Sequence, residues 1–442
     1  MSSLQNTFTD FFSILGSLWS LVAHGGWILI VWAVVYMLWY QYKNEIQHQF
    51  VLGTPWTFLH IRVPKENELS LLGVEQMYSQ MHQLHINLTF AEKYVEGKFQ
   101  LWYSLELVSL GGKISFIMRI PSKQRMTVES AIYGQFPAAE ITEVEDYLKN
   151  VTYTPDSQDL DLFGFEYKVL EDYSIPIKTY KDFEHPTAER KIIDPLAGLF
   201  EALAKVEPHE FYGLQIIIQP LGDAEWKDHG ENKVKELIGE EVPHKFSFKG
   251  LLMAPFEFVA KFSWLSLLGA AGGHAHAESE SKEKNNWMRM TDVEKERVNL
   301  VQRKLSKPGY KTKIRNIYIA PKGKLDLSKR SAVIGALRPF TSGQGNALKP
   351  DLSHTWTNLN YFISPTLEKP FLEWVVRRRK QRIFNAYKLR STYIGINATI
   401  MNVEELATIY HFPLSEPEKP TTAPVEAIES KKSQPPANLP VG

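Results

Sequence analysis

The chain has 442 residues, a formal net charge of zero and no cysteine. This length predicts two or three folded units, and the zero net charge gives no global field that would favour nucleic acid or an acidic partner. The lack of thiols excludes disulfides, thiolate metal sites and cysteine nucleophiles, and an aromatic content of 12% excludes a chain that is disordered throughout.

The first strong pattern is an uncharged segment near the amino end, GGWILIVWAVVYMLWYQY, residues 25–42. The uncharged run extends from Phe11 to Tyr42, and a bilayer of about 30 Å needs about 20 apolar residues. A buried core helix or a signal peptide is the alternative, but no polar face is visible and the first ten residues lack Lys and Arg.

We therefore predict an amphipathic segment and an uncleaved transmembrane anchor over residues 1–50, and a single-pass protein of the cell membrane with its bulk in the cytoplasm. The predicted membrane-anchoring aromatic residues are Trp27, Trp32, Trp39 and Tyr40.

Residues 51–153 are predicted to form a first ferredoxin-like α+β domain, because their elements follow the order β-α-β-β-α-β. Within it, SLELVSLGGKISFIMRIP raises the question of a phosphate-binding loop. Such a loop needs a Gly five residues before Gly112 and a hydroxyl residue after Lys113, and the sequence has Leu107 and Ile114 there. A hairpin fits better, with its turn at Gly111-Gly112, Leu107 opposite Phe116 and Glu106 on the polar face.

Residues 154–411 are predicted to form a second α+β domain of the same kind, with an insertion at about 222–290. Asp194 is a predicted N-cap, and Thr291 with Glu294 is a predicted capping box. Within the insertion, the apolar stretch 251–271 predicts a buried helix or one that lies on the membrane, and 272–286 a loop. The Pro-rich residues 412–442 predict a disordered tail.

Few residues are candidates for chemistry. His274 and His276 lie in the predicted loop without other ligands nearby, so we expect no metal site and no cofactor. The strongest polar pattern is a basic run that predicts contacts to phosphate groups or to a protein partner: Arg377, Arg378, Arg379, Lys380 and Arg382. A solvated helix face with acidic neighbours is the alternative interpretation of this run.

Several stretches resemble the membrane-anchored amino-terminal region of type IV secretion- or conjugation-like ATPases of candidate-phyla prokaryotes. They are PWTFLHIRVPKENE, GVEQMYSQMHQLH, SLELVSLGGKISFIMRIP, VESAIYGQFPAAEITEVEDY, LAGLFEALAKVEPHEFYGLQIIIQP and NVEELATIYHFP. The resemblance covers about residues 50–440 and implies an anchor followed by ferredoxin-like modules. In longer relatives a motor domain with a true phosphate loop follows the segment similar to ESKKSQPPANLP, so ATPase activity is not carried over to the sequence given.

These observations predict a non-enzymatic, single-pass membrane protein that acts as a scaffold or docking component of such a complex. Its expected partners are membrane lipid and a secretion-type ATPase in trans. The alternative is a membrane-tethered nucleic-acid-binding protein that uses the basic helix at 377–390. A third hypothesis is an enzyme with a site unlike any motif tested.

Overall fold

The computed structural model describes residues 27–64, 71–155, 159–183, 194–240, 290–358 and 365–413. The residues before 27, the apolar stretch 251–271, His274 and His276, and the tail after 413 lie outside the described residues. The chain divides into two compact units, a smaller one that includes Met1–Gly53 and Leu88–Phe99, and a larger one that includes Thr54–Asn87, Gln100–Glu241 and Asn285–Gly442.

The described part of the chain contains nine strands and ten helices, apart from short 3-10 turns. The strands are β1 (Trp56–Arg62), β2 (Tyr103–Leu110), β3 (Lys113–Pro121), β4 (Glu140–Val144), β5 (Leu160–Val169), β6 (Phe211–Pro220), β7 (Gly309–Pro321), β8 (Leu348–Pro350) and β9 (Thr399–Asn402). The helices are α1 (Trp27–Gly53), α2 (Leu71–Met81), α3 (Phe90–Tyr94), α4 (Arg125–Tyr133), α5 (Ala197–Ala204), α6 (Asp223–Ile238), α7 (Asp292–Leu305), α8 (Leu327–Ala336), α9 (Pro365–Lys388) and α10 (Val403–Ile409).

In the smaller unit, the long helix α1 contacts the short helix α3 through aromatic side chains. The rings of Trp39 and Tyr94 lie 5.7 Å apart, and those of Phe50 and Phe99 lie 5.9 Å apart. Helix α3 begins with a capping box, in which Thr89 and Glu92 satisfy each other's backbone N–H groups.

Among the described helices, none combines the length and the apolar character that a membrane crossing requires. Helix α1 has 27 residues, but Lys43 and Glu45 interrupt its apolar part. The stretch from Trp27 to Tyr42 spans only about 24 Å at about 1.5 Å per residue, and four Trp or Tyr residues between 32 and 40 lower its hydropathy. The predicted transmembrane anchor, and with it the predicted single-pass localisation, is therefore wrong.

The four predicted anchor residues all lie on helix α1. Trp27, Trp39 and Tyr40 are exposed, whereas Trp32 is half-buried and stacks on Tyr36 at 5.6 Å. The helix that carries these four rings does not meet the length and hydropathy that a membrane crossing requires, judged over its described residues.

The larger unit is built on one antiparallel sheet whose strand order is β4-β1-β3-β2-β6-β7-β5-β8, with β9 also paired to β7. Strand β2 makes the sheet continuous, because it pairs with β3 on one side and with β6 on the other. Strands β5 and β9 share the same side of β7, and Lys313 lies in the gap between their pairings.

The predicted β2–β3 hairpin is confirmed. Leu105 pairs with Met118 and Leu107 with Phe116, as predicted. The turn residues Gly111 and Gly112 have φ values of 59° and 81°, the left-handed region that glycine adopts without steric cost.

Five helices cover the first face of the sheet and bury the main hydrophobic core. The apolar stripes of α2, α4, α5, α8 and α10 face the inward-pointing residues of the strands, among them Leu105, Phe116 and Ile216. Helices α6 and α7 pack against each other, with Gly230 of α6 close to Leu305 of α7.

The prediction of two ferredoxin-like modules behind a membrane-spanning helix is wrong. The chain is α+β, but its described residues form a single nine-stranded antiparallel sheet that runs across the predicted domain boundary at 153/154. The physical reason is that β2, the free edge of a separate first module, forms eight pairs with β6. Unpaired edge groups find backbone partners in this way.

Candidate binding site beside helix α9

Helix α9 lies on the second face of the sheet. Ile383, Phe384 and Tyr387 form one stripe of the helix and are buried in a second apolar cluster. This cluster includes Leu162 of β5 and Ile317 of β7, so the last turns of α9 are fixed to the middle of the sheet.

The predicted contact residues Arg377, Arg378, Arg379, Lys380 and Arg382 all lie on α9, but they point in different directions. Arg379 donates hydrogen bonds to the backbone oxygens of Trp356, at 3.1 Å, and Ser353. Lys380 forms an ion pair of 2.5 Å with Asp161. These two cations therefore hold the helix to the body of the unit.

The side of α9 that faces away from the sheet carries an exposed aromatic and basic surface. Phe371, Trp374 and Arg378 follow each other at spacings of three and four residues, which places them on one helix face. The rings of Phe371 and Trp374 stack at 6.2 Å, and the Arg378 guanidinium lies 4.0 Å from the Trp374 ring. Phe371 and Trp374 are 65% and 49% exposed. We call these three residues the outer stripe.

A cavity of about 490 Å³ lies beside α9. One wall is formed by Arg379, Arg382, Ile383 and Ala386 of α9, and the others by Lys168 of β5, residues 351–355 and residues 394–397. The volume is in the range of small-molecule sites, which are mostly apolar with a few convergent polar groups. Arg382 is exposed and forms no hydrogen bond or ion pair within the described ranges.

Asp351 is the one buried acid in this wall, with 1% of its side chain exposed. Its Oδ2 accepts hydrogen bonds from the backbone N–H groups of His354, at 2.9 Å, and Thr355, at 3.1 Å. Its Oδ1 lies 3.4 Å from Lys168 Nζ, yet accepts no hydrogen bond within the described part of the chain. Burial raises the pKa of Asp351, but these N–H groups and Lys168 outweigh burial, and the net pKa is lowered, so the group stays a carboxylate.

A buried polar row crosses the sheet next to this cavity. Glu106, Gln215, Arg315 and Glu166 lie opposite one another on β2, β6, β7 and β5. Arg315 donates to Glu166 Oε1, at 2.6 Å from Nη2, and to Gln215 Oε1 at 2.9 Å. Gln215 in turn donates to Glu106 Oε1 at 2.9 Å. Directly opposed strand positions are close enough for such a chain of contacts.

Arg390 closes the row at its Glu106 end. Its Nε donates to Glu106 Oε1 at 3.0 Å, and its Nη1 donates to Asp146 Oδ2 at 2.6 Å. Burial raises the pKa of Glu106, but the Arg390 charge and hydrogen bonds outweigh burial, so the net pKa is lowered. Because each buried charge has a bonded partner, the row is suited to holding structure rather than to reacting.

The segment 391–398 covers the other end of the row. Lys313 donates to the backbone oxygens of Thr392, at 3.1 Å, and Ile394, at 2.6 Å. The Ile396 N–H donates to Glu166 Oε2 at 2.6 Å. This segment also forms a wall of the cavity. The hydrogen bonds to the buried row therefore hold that wall in place.

A second group of side chains resembles a metal site. Ligand atoms of Glu207, His209 and Glu210 lie within 4.8 Å of one another. Lys329 forms ion pairs with both acids, at 2.6 Å to Glu210 and 3.4 Å to Glu207. A lysine therefore already pairs with both acids and compensates part of their charge, and we assign the cluster no metal.

Sequence reasoning found the α9 end of the cavity but missed the rest. Lys168, Asp351 and His354 come from distant parts of the chain and belong to no motif. Glu106 was predicted on a polar strand face, yet it is fully buried because α9 and Arg390 cover that face. Lys113 lies beside the hairpin turn, as the hairpin interpretation requires.

No protein-family model matches this sequence, and no curated protein matches it either.

Proposed function

We propose that this chain is a non-enzymatic docking or scaffold protein that contacts its partner through the outer stripe of α9. The observation that carries the proposal is the exposed stack of Phe371, Trp374 and Arg378 on the side of α9 away from the sheet. Trp and Arg are the residue types that most often dominate binding energy at protein interfaces.

The charge of the stripe favours a partner with an acidic face. Arg379 and Lys380 are bonded within the unit, whereas the Arg378 guanidinium lies over the exposed Trp374 ring. Complementary charge raises the rate and the specificity of association. The sequence resemblance suggests that this partner is an ATPase subunit of a secretion- or conjugation-like complex.

The buried polar row supports a non-enzymatic function. Its charged groups are bonded to each other and covered by α9 and by 391–398, and they hold the sheet and the helix in register. Reacting groups need access to a substrate, whereas these groups serve as a rigid support for the surface above them.

Affinity purification from the host cells tests the proposal. We expect an ATPase subunit to co-purify with the wild-type chain and to be lost with a Trp374→Ala, Arg378→Glu double variant. A Met126→Ala, Arg62→Glu variant is the matched control, because both residues are exposed on other elements of the larger unit. Absence of any ATPase at wild-type abundance, or its retention by the stripe variant, would count against the proposal.

Nucleic-acid binding is the second candidate function, and the stacked rings of Phe371 and Trp374 are the observation that favours it. Aromatic rings beside Arg form stacking platforms for single-stranded bases. Fluorescence polarisation with a single-stranded oligonucleotide across a salt series distinguishes the two. This candidate requires affinity that falls with salt and is lost in Trp374→Ala.

A further inference from the structure

The lining of the cavity beside α9 contains none of the three outer-stripe residues, and the charge of the lining indicates what the cavity would hold. Lys168, Arg379 and Arg382 line it against the single carboxylate of Asp351, which leaves an excess of two positive charges. A phosphate monoester carries a charge of about −1.5 to −2 at pH 7. A carboxylate, with one negative charge, would leave one of these cations uncompensated.

The apolar wall indicates that the anion carries an organic body. Ile383, Ala386, Ile394 and Ile396 form the lining between the charged groups. Gly395 lies in the same wall with φ of 101°, and a Cβ there would lie 2.0 Å from Glu166 Oε2. The backbone of 394–396 is thus held close to the buried row, which keeps this wall in place.

Asp351 provides a second, independent indication of a ligand. Its Oδ1 is buried and lies 3.4 Å from Lys168 Nζ, a long ion pair, and no well-aligned donor among the described residues satisfies it, although buried carboxylate oxygens normally accept such a bond. A hydroxyl or amino group on the ligand would supply the missing hydrogen bond.

We propose that this cavity binds a small phosphate monoester, with Arg382 and Lys168 contacting the phosphate and Asp351 Oδ1 accepting a hydrogen bond from the organic part. Arg379 adds charge while its two Nη atoms stay bonded to backbone oxygens. His354, whose side chain is 76% exposed, lies at the entrance.

Isothermal titration calorimetry with phenyl phosphate and glucose 6-phosphate tests this site. We expect saturable binding of both probes to the wild-type chain and about tenfold weaker binding to Arg382→Ala and to Lys168→Ala, because each variant removes a charge-assisted hydrogen bond to the phosphate. Arg62→Ala is the control, because Arg62 is exposed and lies outside the cavity wall. It should leave both affinities unchanged.

Asp351→Asn tests the hydrogen bond to the organic part. It should weaken glucose 6-phosphate relative to phenyl phosphate, which has no hydroxyl on its ring. The site is overturned if neither probe binds at millimolar concentration, or if Arg62→Ala weakens binding as much as Arg382→Ala. The role of Asp351 is overturned if both probes change equally. Neither outcome depends on the outer stripe, whose residues are left intact in these variants.

Discussion

At the scale of single residues, Lys313 shows how the sheet and the loop above it share charge. It lies in the gap between β5 and β9, and its amine donates to two backbone oxygens of 391–398. Burial lowers the pKa of Lys313 from 10.5 to about 8, Glu166 opposes this, and Arg315 and Arg382 add to it. A neutral amine keeps both hydrogen bonds, because it still has two N–H groups.

We predict that NMR titration of the Lys313 amine gives a midpoint near pH 8. Since the folded-state pKa lies below the unfolded one, the unfolded chain holds more protons between about pH 8 and 10.5. The contribution of Lys313 to stability therefore increases with pH across that window. Arg382→Ala should raise the midpoint and Arg62→Ala should not. A wild-type midpoint at 10.5 would contradict the buried position.

Arg390 also stabilises the face of the sheet that α9 covers. It has φ of 51°, and its side chain is bonded to Glu106 and Asp146. Removing one member of a buried ion pair leaves an uncompensated charge and costs about 3–5 kcal/mol. Arg390 is buried next to Tyr147 and Glu106. The loss of its side chain would therefore destabilise mainly the contacts on the α9 side of the sheet.

We expect Arg390→Ala to lower the free energy of unfolding by about 3–5 kcal/mol in urea denaturation. Combined with Glu106→Ala in a double-mutant cycle, it should show a coupling energy above about 1 kcal/mol. Strictly additive losses would mean that the two side chains do not act as a pair.

At the scale of elements, the β2–β3 turn was predictable because its determinants are adjacent in sequence. The Gly-Gly pair and the period-2 pattern on either side fix both the turn and the register. The Thr291–Glu294 capping box at the start of α7 is confirmed for the same reason. Asp194 accepts a hydrogen bond from the Leu196 N–H, close to the predicted helix start, although α5 itself begins at Ala197.

The turn also contacts another element, which gives a matched pair of variants. Gly112 and Gly323 share φ of 81°, but a Cβ at Gly112 would lie 2.6 Å from the Ala204 backbone oxygen, while Gly323 faces open space. We predict that Gly323→Ala costs about 1–2 kcal/mol for the left-handed backbone alone. Gly112→Ala should cost clearly more in thermal or urea unfolding. Equal losses would show that the turn does not press against α5.

The second face was not predictable because its determinants are far apart. Glu106 occupies a polar position of an alternating strand, which local patterning assigns to solvent. Its burial depends on Arg390, 284 residues later in the chain. The cavity is likewise lined by residues of β5, of α9 and of the segment that follows β8. Of these residues, only Arg379 and Arg382 belonged to a recognisable sequence pattern, the basic run.

At the scale of the whole molecule, one sheet was predicted as two, because the sequence pattern of each strand does not show which strand it pairs with. The elements of the two predicted domains were recognised, but the β2–β6 pairing merges them into one sheet. Similarly, the aromatic and apolar residues of α1 were interpreted as a membrane span, although Lys43 and Glu45 continue the same helix.

Glu404, at the start of α10, connects the last described helix of the larger unit to segments much earlier in the chain. It accepts hydrogen bonds from Thr179 at 2.6 Å and from Lys307 and Arg303 of the α7 region. Burial raises the pKa of Glu404, but Lys307, Thr179 and Arg303 outweigh burial and lower it from 4.5 to about 2. The depressed pKa means that this stabilisation is present above pH 4.5 and is lost as the pH falls through about 2.

We therefore predict that the free energy of unfolding falls between about pH 4.5 and 2, and that Glu404→Gln removes at most about 3 kcal/mol of this dependence. Urea unfolding at a series of pH values measures it. Glu201→Gln is the control, because the ion pair of Glu201 with Lys205 is exposed. An unchanged acid slope in Glu404→Gln would contradict the assigned network.

Site-specific photo-crosslinking tests the proposed docking function most directly. A photoreactive phenylalanine derivative in place of Phe371 samples the outer stripe and leaves Trp374 and Arg378 intact, and the same amino acid in place of Met126, which is 78% exposed on α4, samples an unrelated surface. We predict that position 371 gives one dominant adduct with an acidic protein subunit, that high salt suppresses it, and that position 126 gives none. Equal labelling from both positions, or adducts with nucleic acid alone, would contradict docking through the outer stripe.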